Sequence, residues 1–448
     1  TGAVSGTESS VGGVCGHNNS GTITNCYFDS TVYGGNAVGT NTGTVSSNVP
    51  GKTSEQFKSG EVCYLLNNCK TDGTQAWYQD LTPETGDKSP VLKSNGNNTV
   101  YAGKPCMSQF SNTELASVDH TFDDHGFCTK CGGYKPATDS NSDGVYEISN
   151  AGQLYWFAAL VNGTLTDGTA QKGSAKAILV NDITVNTGVL NADGTLASDV
   201  SGFKVWTPIG NDDNKYIGIF DGQNHTVSGL YFNDSETKYV GLFGEVGQNG
   251  KVSNVGVVDS YFNGNNYIGG VCGYNYYATI SNSYNTGAVS GNSSVGGVCG
   301  SIFFGTISNC YNTGAVSGTE SSVGGVCGHN SSGAISNCYN IGVVSGGSSS
   351  NSVGGVCGNC SGGNISHCYL DSTKCDKNAV GINDGVLLKI EGKSSEDFAS
   401  GGVCYLLNKG MTDGTQAWYQ DLTPETGDKH PVLKSNGNNT VYAGKPCM

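Results

Sequence analysis

Arginine is absent from all 448 residues: the 22 basic residues are lysines, set against 37 acids for a net charge of -15. Nucleic-acid binding draws its affinity from a basic face that displaces counterions, so this balance excludes nucleic acid as a partner. It also makes copies of the chain repel one another. No run approaches the roughly 18 apolar residues that a membrane-spanning helix needs, and the densest, residues 155–161, is far shorter, which argues against membrane insertion. Helical apolar spacing is scarce too. No secretory leader stands at residue 1, but the chain opens in mid-phrase, so that absence says nothing of localisation.

What is abundant is glycine, 70 residues of it. Without a period such a composition would indicate disorder; here the glycines recur at fixed places. Gly241-Leu242-Phe243-Gly244 returns as Gly270-Val271-Cys272-Gly273, then at 297–300, 325–328 and 355–358 as Gly-Val-Cys-Gly. Each is followed by a second phrase, Val252-Ser253-Asn254-Val255, then Ile280-Ser281-Asn282-Ser283-Tyr284 and its copies at Ile307, Ile335 and Ile365. Equivalent cysteines stand at 272, 299, 327 and 357, a period near 28 residues. A period of that size means a solenoid, propeller or array. Each copy is too short for a propeller blade and holds about three short β-prone runs between Gly, Asn and Ser, so it reads as one coil of a parallel β-helix. Stacked at about 4.8 Å, each repeated position becomes a ladder. Ile280/Ile307/Ile335/Ile365 would form a core ladder and Asn254/Asn282/Asn309/Asn337 a hydrogen-bonded amide stack.

The Gly-Leu-Phe-Gly and Gly-Val-Cys-Gly phrases resemble the GLUG repeat of bacterial surface proteins. Residues 146–162, Trp206-Thr207-Pro208-Ile209-Gly210 and 220–225 resemble the way such domains open in large cell-surface proteins of gut Firmicutes. The resemblance covers about two-thirds of the chain. It implies an all-β fold, a right-handed parallel β-helix solenoid with short capping helices and small linker modules, and an extracellular, secreted or cell-wall-associated setting. It carries over no catalytic residue.

Residues 1–18 repeat 313–330, and residues 52–107 match 393–448 at a constant offset of 341. We therefore expect a tandem array with a repeat of about 341 residues. Residues 1–50 are terminal rungs of a preceding β-helix, whose open edge upstream repeats or another copy of the chain must cover. Residues 51–107 are a C-terminal cap and spacer, 108–144 a polar joint, 145–391 the GLUG-type β-helix, and 392–448 a copy of the cap. In the cap, Ser394-Ser395-Glu396-Asp397-Phe398 opens a short helix, Val403 to Leu407 carries an apolar face, and two strands around Trp418 and Pro431 follow. The β-helix opens with a helix capped by Ser149 or Asn150, whose Leu154, Phe157, Leu160 and Val161 share one face and close the core end.

Candidate sites are few. Cys128 and Cys131, with His120 and His125, have the spacing of half a zinc site, or form a local disulfide or free thiols. Asp139, Asn141 and Asp143 before Gly144 match the first half of a calcium loop, or an Asx-rich turn entering a strand. In the cap, both copies keep the same separation between Cys63 and Cys106 and between Cys404 and Cys447, the expected disulfides. The rung pairs Cys15/Cys26, Cys299/Cys310, Cys327/Cys338 and Cys357/Cys368 are either cross-rung bridges or small ladder fillers; Ser283 replaces one member harmlessly, which favours fillers. Tyr274, Tyr276, Tyr277, Phe303 and Phe304 cluster where other rungs carry Ser and Gly, and suit either glycan stacking or packing against a neighbouring module.

β-Helices often host polysaccharide-active enzymes, which need carboxylates about 5 to 9 Å apart. Residues 239–371 hold only Glu245, Asp259, Glu320 and Asp371, which share no ladder. The expectation is a non-catalytic stalk or self-assembling fibre, with other copies of the chain as partners. The alternative is a multivalent adhesin for a glycan or host surface.

Overall fold

The computed structural model describes residues 4–6, 10–45, 49–58, 60–67, 76–79, 87–92, 100–101, 109–111, 114–115, 121–129, 133–165, 169–346, 352–409, 416–423 and 425–433. Two compact units are present: residues 1–123 with 128–133, and residues 124–127 with 134–448. The joint expected over 108–144 is therefore shared between them.

The second unit is a parallel β-helix. Its isoleucine face stacks nine short strands among the described residues, from Val145–Ile148 to Val386–Lys393, all parallel. The ladder expected from sequence is there in register: Phe220, Val252, Ile280, Ile307, Ile335 and Ile365 succeed one another, each buried. Each coil holds more strands than the three expected. One coil runs through Cys272–Tyr276, Thr279–Ser281, Tyr284–Asn285, Ala288–Gly291 and Ser293–Gly296, because Gly and Asn break the extended chain into runs of two to five residues.

Polar ladders hold the corners. Asn282 Nδ2 donates to Asn254 Oδ1 at 3.0 Å and Asn309 Nδ2 to Asn282 Oδ1 at 3.1 Å, the stack anticipated above. These asparagines sit at φ 49° to 55°, the left-handed region that asparagine tolerates better than most residues. A second amide ladder escaped the sequence reading: Asn285, Asn312 and Asn340 are wholly buried, each donating to the next in line or to a glycine carbonyl. Beside it the rings of Tyr284, Tyr311 and Tyr339 stack at 4.7 and 5.0 Å, nearly parallel.

The long helix Ala151–Asn162 is capped as expected, Asn150 accepting from Gln153 N at 3.0 Å, and ends at Gly163 with φ 70°. It is buried on every side, not on one face alone. Leu154, Phe157, Leu160 and Val161 join the core with Trp206, Tyr216 and Phe220, closing that end of the solenoid. Residues Phe203–Trp206 contribute one bridge to the stack, Val205 to Tyr231.

The cap needs a correction. Its helices Ser395–Ala399 and Gly402–Leu407 and its hairpin Trp418–Tyr419/Val432–Leu433 form as anticipated, with a Ser394–Asp397 capping box. Among the described residues they do not cover the end of the coil. Phe398, Val403, Leu407 and Trp418 pack on the outward tyrosines Tyr311, Tyr339 and Tyr369, along the side of three rungs. The reason is chemical: the tyrosine ladder is the one broad aromatic surface beside the cap, whereas the terminal strand Val386–Lys393 is paired on one side only among the described residues. Val386, Leu387 and Leu388 there stay 64%, 41% and 54% exposed.

The first unit repeats the end of the second. Cys15–Asn18 pairs Val38–Asn41 in parallel as Cys357–Ser361 pairs Val380–Asn383, and the same cap helices follow at Ser54–Lys58 and Glu61–Leu66. Asn67 holds Trp77 O at 2.9 Å as Asn408 holds Trp418 O at 2.8 Å. Ile23 and Cys15 are only half-buried here, where their counterparts Ile365 and Cys357 are fully buried.

Candidate functional site

The rung cysteines are thiols, not bridges. Cys272, Cys299, Cys327 and Cys357 face one another across successive strands, and Cys310, Cys338 and Cys368 form a second buried line. Each Sγ of the second line donates to the carbonyl two residues earlier, Cys310 to Ser308 O at 3.2 Å. Ser283 Oγ makes the same bond to Ser281 O at 2.8 Å, which is why serine replaces cysteine there without harm. These groups are structural.

Of the metal candidates only part is described. His120 and Cys131 lie outside the described residues; His125 is exposed in a turn and Cys128 is buried. Among the described residues no three His, Cys, Asp or Glu side chains gather as a metal site would require. In the second candidate, Asp139 accepts from Asp143 N and Gly144 N at 3.0 and 2.9 Å, Asn141 from Asp143 N at 3.1 Å, and Asp143 from Val145 N at 2.8 Å. Those oxygens brace an Asx-rich turn that launches the strand Val145–Ile148. Of the expected disulfides, Cys106 and Cys447 lie outside the described residues; Cys63 and Cys404 are buried on the second cap helices, and burial pushes both thiols up to about 12.

The acids of the regular rungs are engaged in the scaffold. Asp259 accepts from Leu190 N at 3.0 Å, and Asp371 accepts from Thr373 and Ser395 hydroxyls. His225 meets Asp182 at 3.2 Å and His329 meets Ser361 at 2.9 Å; these two pairs, missed from sequence, stand on different faces.

The aromatic cluster is larger than sequence suggested. Tyr276 and Phe303 are register neighbours and stack at 5.6 Å, interplanar 3°; Tyr277 and Phe304 stack at 5.1 Å, 10°. Tyr274 carries the row on to Tyr267 at 5.2 Å and Tyr239 at 6.0 Å. The strip thus spans three coils. Tyr277 and Phe304 are 41% and 50% exposed, and the other rings half-buried. Tyr239, Tyr267, Tyr277 and Phe304 all lie at φ between 52° and 64°. Bulky residues seldom adopt this conformation, which costs on the order of 1–3 kcal/mol each and often marks a functional position. Later rungs fill the corresponding turns with Ser294, Ser322, Ser332 and Gly362. The sequence could have signalled Tyr239 and Tyr267 through that replacement by serine.

Beneath the strip lies Glu245, the register partner of Tyr274. It is 1% exposed, and Lys215 Nζ is 2.7 Å from its Oε1 while Oε2 has no hydrogen-bond partner. Burial lifts its carboxyl above the usual range against the pull of Lys215. Burial also drives the Tyr274 phenol up to about 12.

Comparison with known proteins matches the GLUG motif at residues 7–33, 264–290 and 291–317. A protein of Evansella cellulosilytica recorded as a candidate Gly-rich membrane protein is 36% identical over 56 residues, 12% of this chain and 6% of that protein. Halomucin of Haloquadratum walsbyi is 35% identical over 107 residues, 23% of this chain and 1% of that protein. The chain thus spans a small fraction of either relative, and neither bears on a gut Firmicutes origin. Among solved structures, one of a candidate immunoglobulin A1 protease from Bacteroides ovatus superposes with a TM-score of 0.47 at 19% identity, over 67% of this chain and 94% of that one. The chain contains a parallel β-helix and carries GLUG motif repeats.

Proposed function

We propose that this chain is a non-catalytic segment of an extracellular structural protein, a tandem-repeat stalk or fibre of a cell surface. The observation that carries the reading is the unbroken parallel stack over residues 145–393, flanked by two near-identical cap modules. Such a scaffold spends its buried polar groups on ladders and its acids on turns. The relatives named Gly-rich membrane protein and halomucin support a surface setting. No helix among the described residues is long and apolar enough to cross a membrane. Negative-stain microscopy with mass photometry over a concentration series tests it. Rods or end-to-end filaments are expected; compact particles without a long axis would refute it.

A second reading, a surface adhesin, is favoured by one observation: the partly exposed aromatic strip across three coils, at turn positions that later rungs fill with Ser and Gly.

A further inference from the structure

We propose that Tyr239 and Tyr267 form a site of oxidative modification, where a one-electron oxidant of the peroxide class couples their rings into a dityrosine that staples one coil to the next. The chemistry stands on the stacking geometry; its use as an axial staple rests on the stalk reading.

The two rings stack at 5.1 Å with an interplanar angle of 15°. They project from equivalent turns of successive coils, at φ 62° and 64°, where the next coils carry Ser294 and Ser322. Parallel coils orient both side chains alike, so the stack sets hydroxyl beside hydroxyl and brings the adjoining ortho carbons alongside. Both rings are half-buried, which leaves their edges within reach of a small oxidant.

No other stack among the described residues combines two phenols, near-parallel rings and access. Tyr284, Tyr311 and Tyr339 stack as closely, but Tyr311 and Tyr339 are 5% and 0% exposed beside the cap. Tyr276 and Tyr277 stack on Phe303 and Phe304, which carry no phenol, and meet each other at 74°. Tyr231 and Tyr261 are 6.4 Å apart and Tyr231 is buried, while Tyr274 meets Tyr267 at 48°.

The position gives the link a use. On this side of the solenoid Asn266–Gly269, Ser293–Gly296, Val323–Gly324 and Val353–Gly354 pair as regular strands, whereas Val240 meets Ile268 through an isolated bridge. The tyrosine pair thus stands where main-chain pairing between coils is thinnest. A covalent link there closes a loop of one coil and restricts the unfolded chain.

In the coupling each phenol gives one electron to the oxidant and its proton to water. The two phenoxyl radicals join ortho carbon to ortho carbon, and the hydrogens on those carbons move to the oxygens, restoring both phenols. Peroxydisulfate, the oxidant of the test, accepts both electrons and leaves as two sulfates.

The test is brief illumination of the dilute full chain with tris(bipyridyl)ruthenium and peroxydisulfate, read by dityrosine fluorescence, intact mass and peptide mapping. The comparison variant is Tyr267→Phe, which keeps the ring and places at a left-handed turn the residue that Phe304 already holds in one. Loss of two hydrogens from the monomer mass, a cross-linked peptide joining Tyr239 to Tyr267, and loss of both signals in the variant are expected. Absence of dityrosine overturns the proposal, as does a map placing it at Tyr274, Tyr276 or Tyr277, coupling only between copies, or an unchanged yield in the variant. In each of these failures the stalk reading stands, because microscopy of the rods tests it separately.

Discussion

At Asn312 the solenoid depends on one amide making every bond it can. Nδ2 donates to Gly314 O and Asn340 Oδ1, both about 2.8–2.9 Å, and Oδ1 accepts from Asn285. Asn312→Ala removes three buried hydrogen bonds at about 0.5–1.5 kcal/mol each, so a loss of about 2–4 kcal/mol is expected from thermal unfolding followed by circular dichroism. Substitution of Asn337, at the outer end of the other ladder, should cost less, since its bond to Asn309 is 3.4 Å long and the side chain is half-buried. The thiol ladders give a second residue-scale prediction. Cys272, Cys299, Cys310, Cys327, Cys338, Cys357 and Cys368 are wholly enclosed. Intact mass after iodoacetamide should show these seven unmodified in the native chain and alkylated in denaturant; native labelling would mean the core is not packed as described.

Elements depend on how they are terminated and where they dock. Asn150→Ala removes the cap of the long helix and should cost about 1 kcal/mol. The cap module is held partly through His430, whose Nδ1 lies 2.8 Å from Tyr339 Oη. Burial depresses the His430 pKa below its usual value near 6.5; Asp428 and the Pro431 carbonyl oppose this, and Lys374 adds to it. A depressed histidine folds neutral, so its contribution is present above the unfolded value and is lost as pH falls through the folded one. Trp418, buried against Tyr311 and Tyr339, should therefore report loosening of the cap on acidification from pH 7 towards 5. His430→Ser, which installs the residue found at Ser89 in the other cap, should flatten that response; an unchanged profile would assign it to His329 or His367, also depressed by burial.

For the whole molecule, the exposed row Val386, Leu387 and Leu388 on a strand paired on one side is the kind of edge that invites another chain. The first unit carries Thr44, Val45 and Ser46 at the corresponding sequence positions, a less apolar row. Leu387→Lys/Leu388→Lys should shift the particle distribution in mass photometry towards monomers, while a distribution unmoved by the substitution would place the association elsewhere.

Much of this architecture was legible because the period is written in residues that tolerate few alternatives. Ile280 to Ile365 had to face inward, and the asparagines after them had to take the left-handed turn, so ladder and register followed from spacing alone. The long helix was likewise announced by Asn150 and its apolar residues. Three-dimensional packing decided the rest. Tyr284, Tyr311 and Tyr339 recur as plainly as the isoleucines, yet only the fold shows that they point outward and form the side against which the cap settles. Tyr239 and Tyr267 lie 28 residues apart and read as unrelated until the coil brings their rings within 5.1 Å. Periodicity determines which residues stack, since every rung repeats the same local conformation; which stacked face meets another module or water depends on contacts between segments far apart in the chain, and no local pattern encodes those.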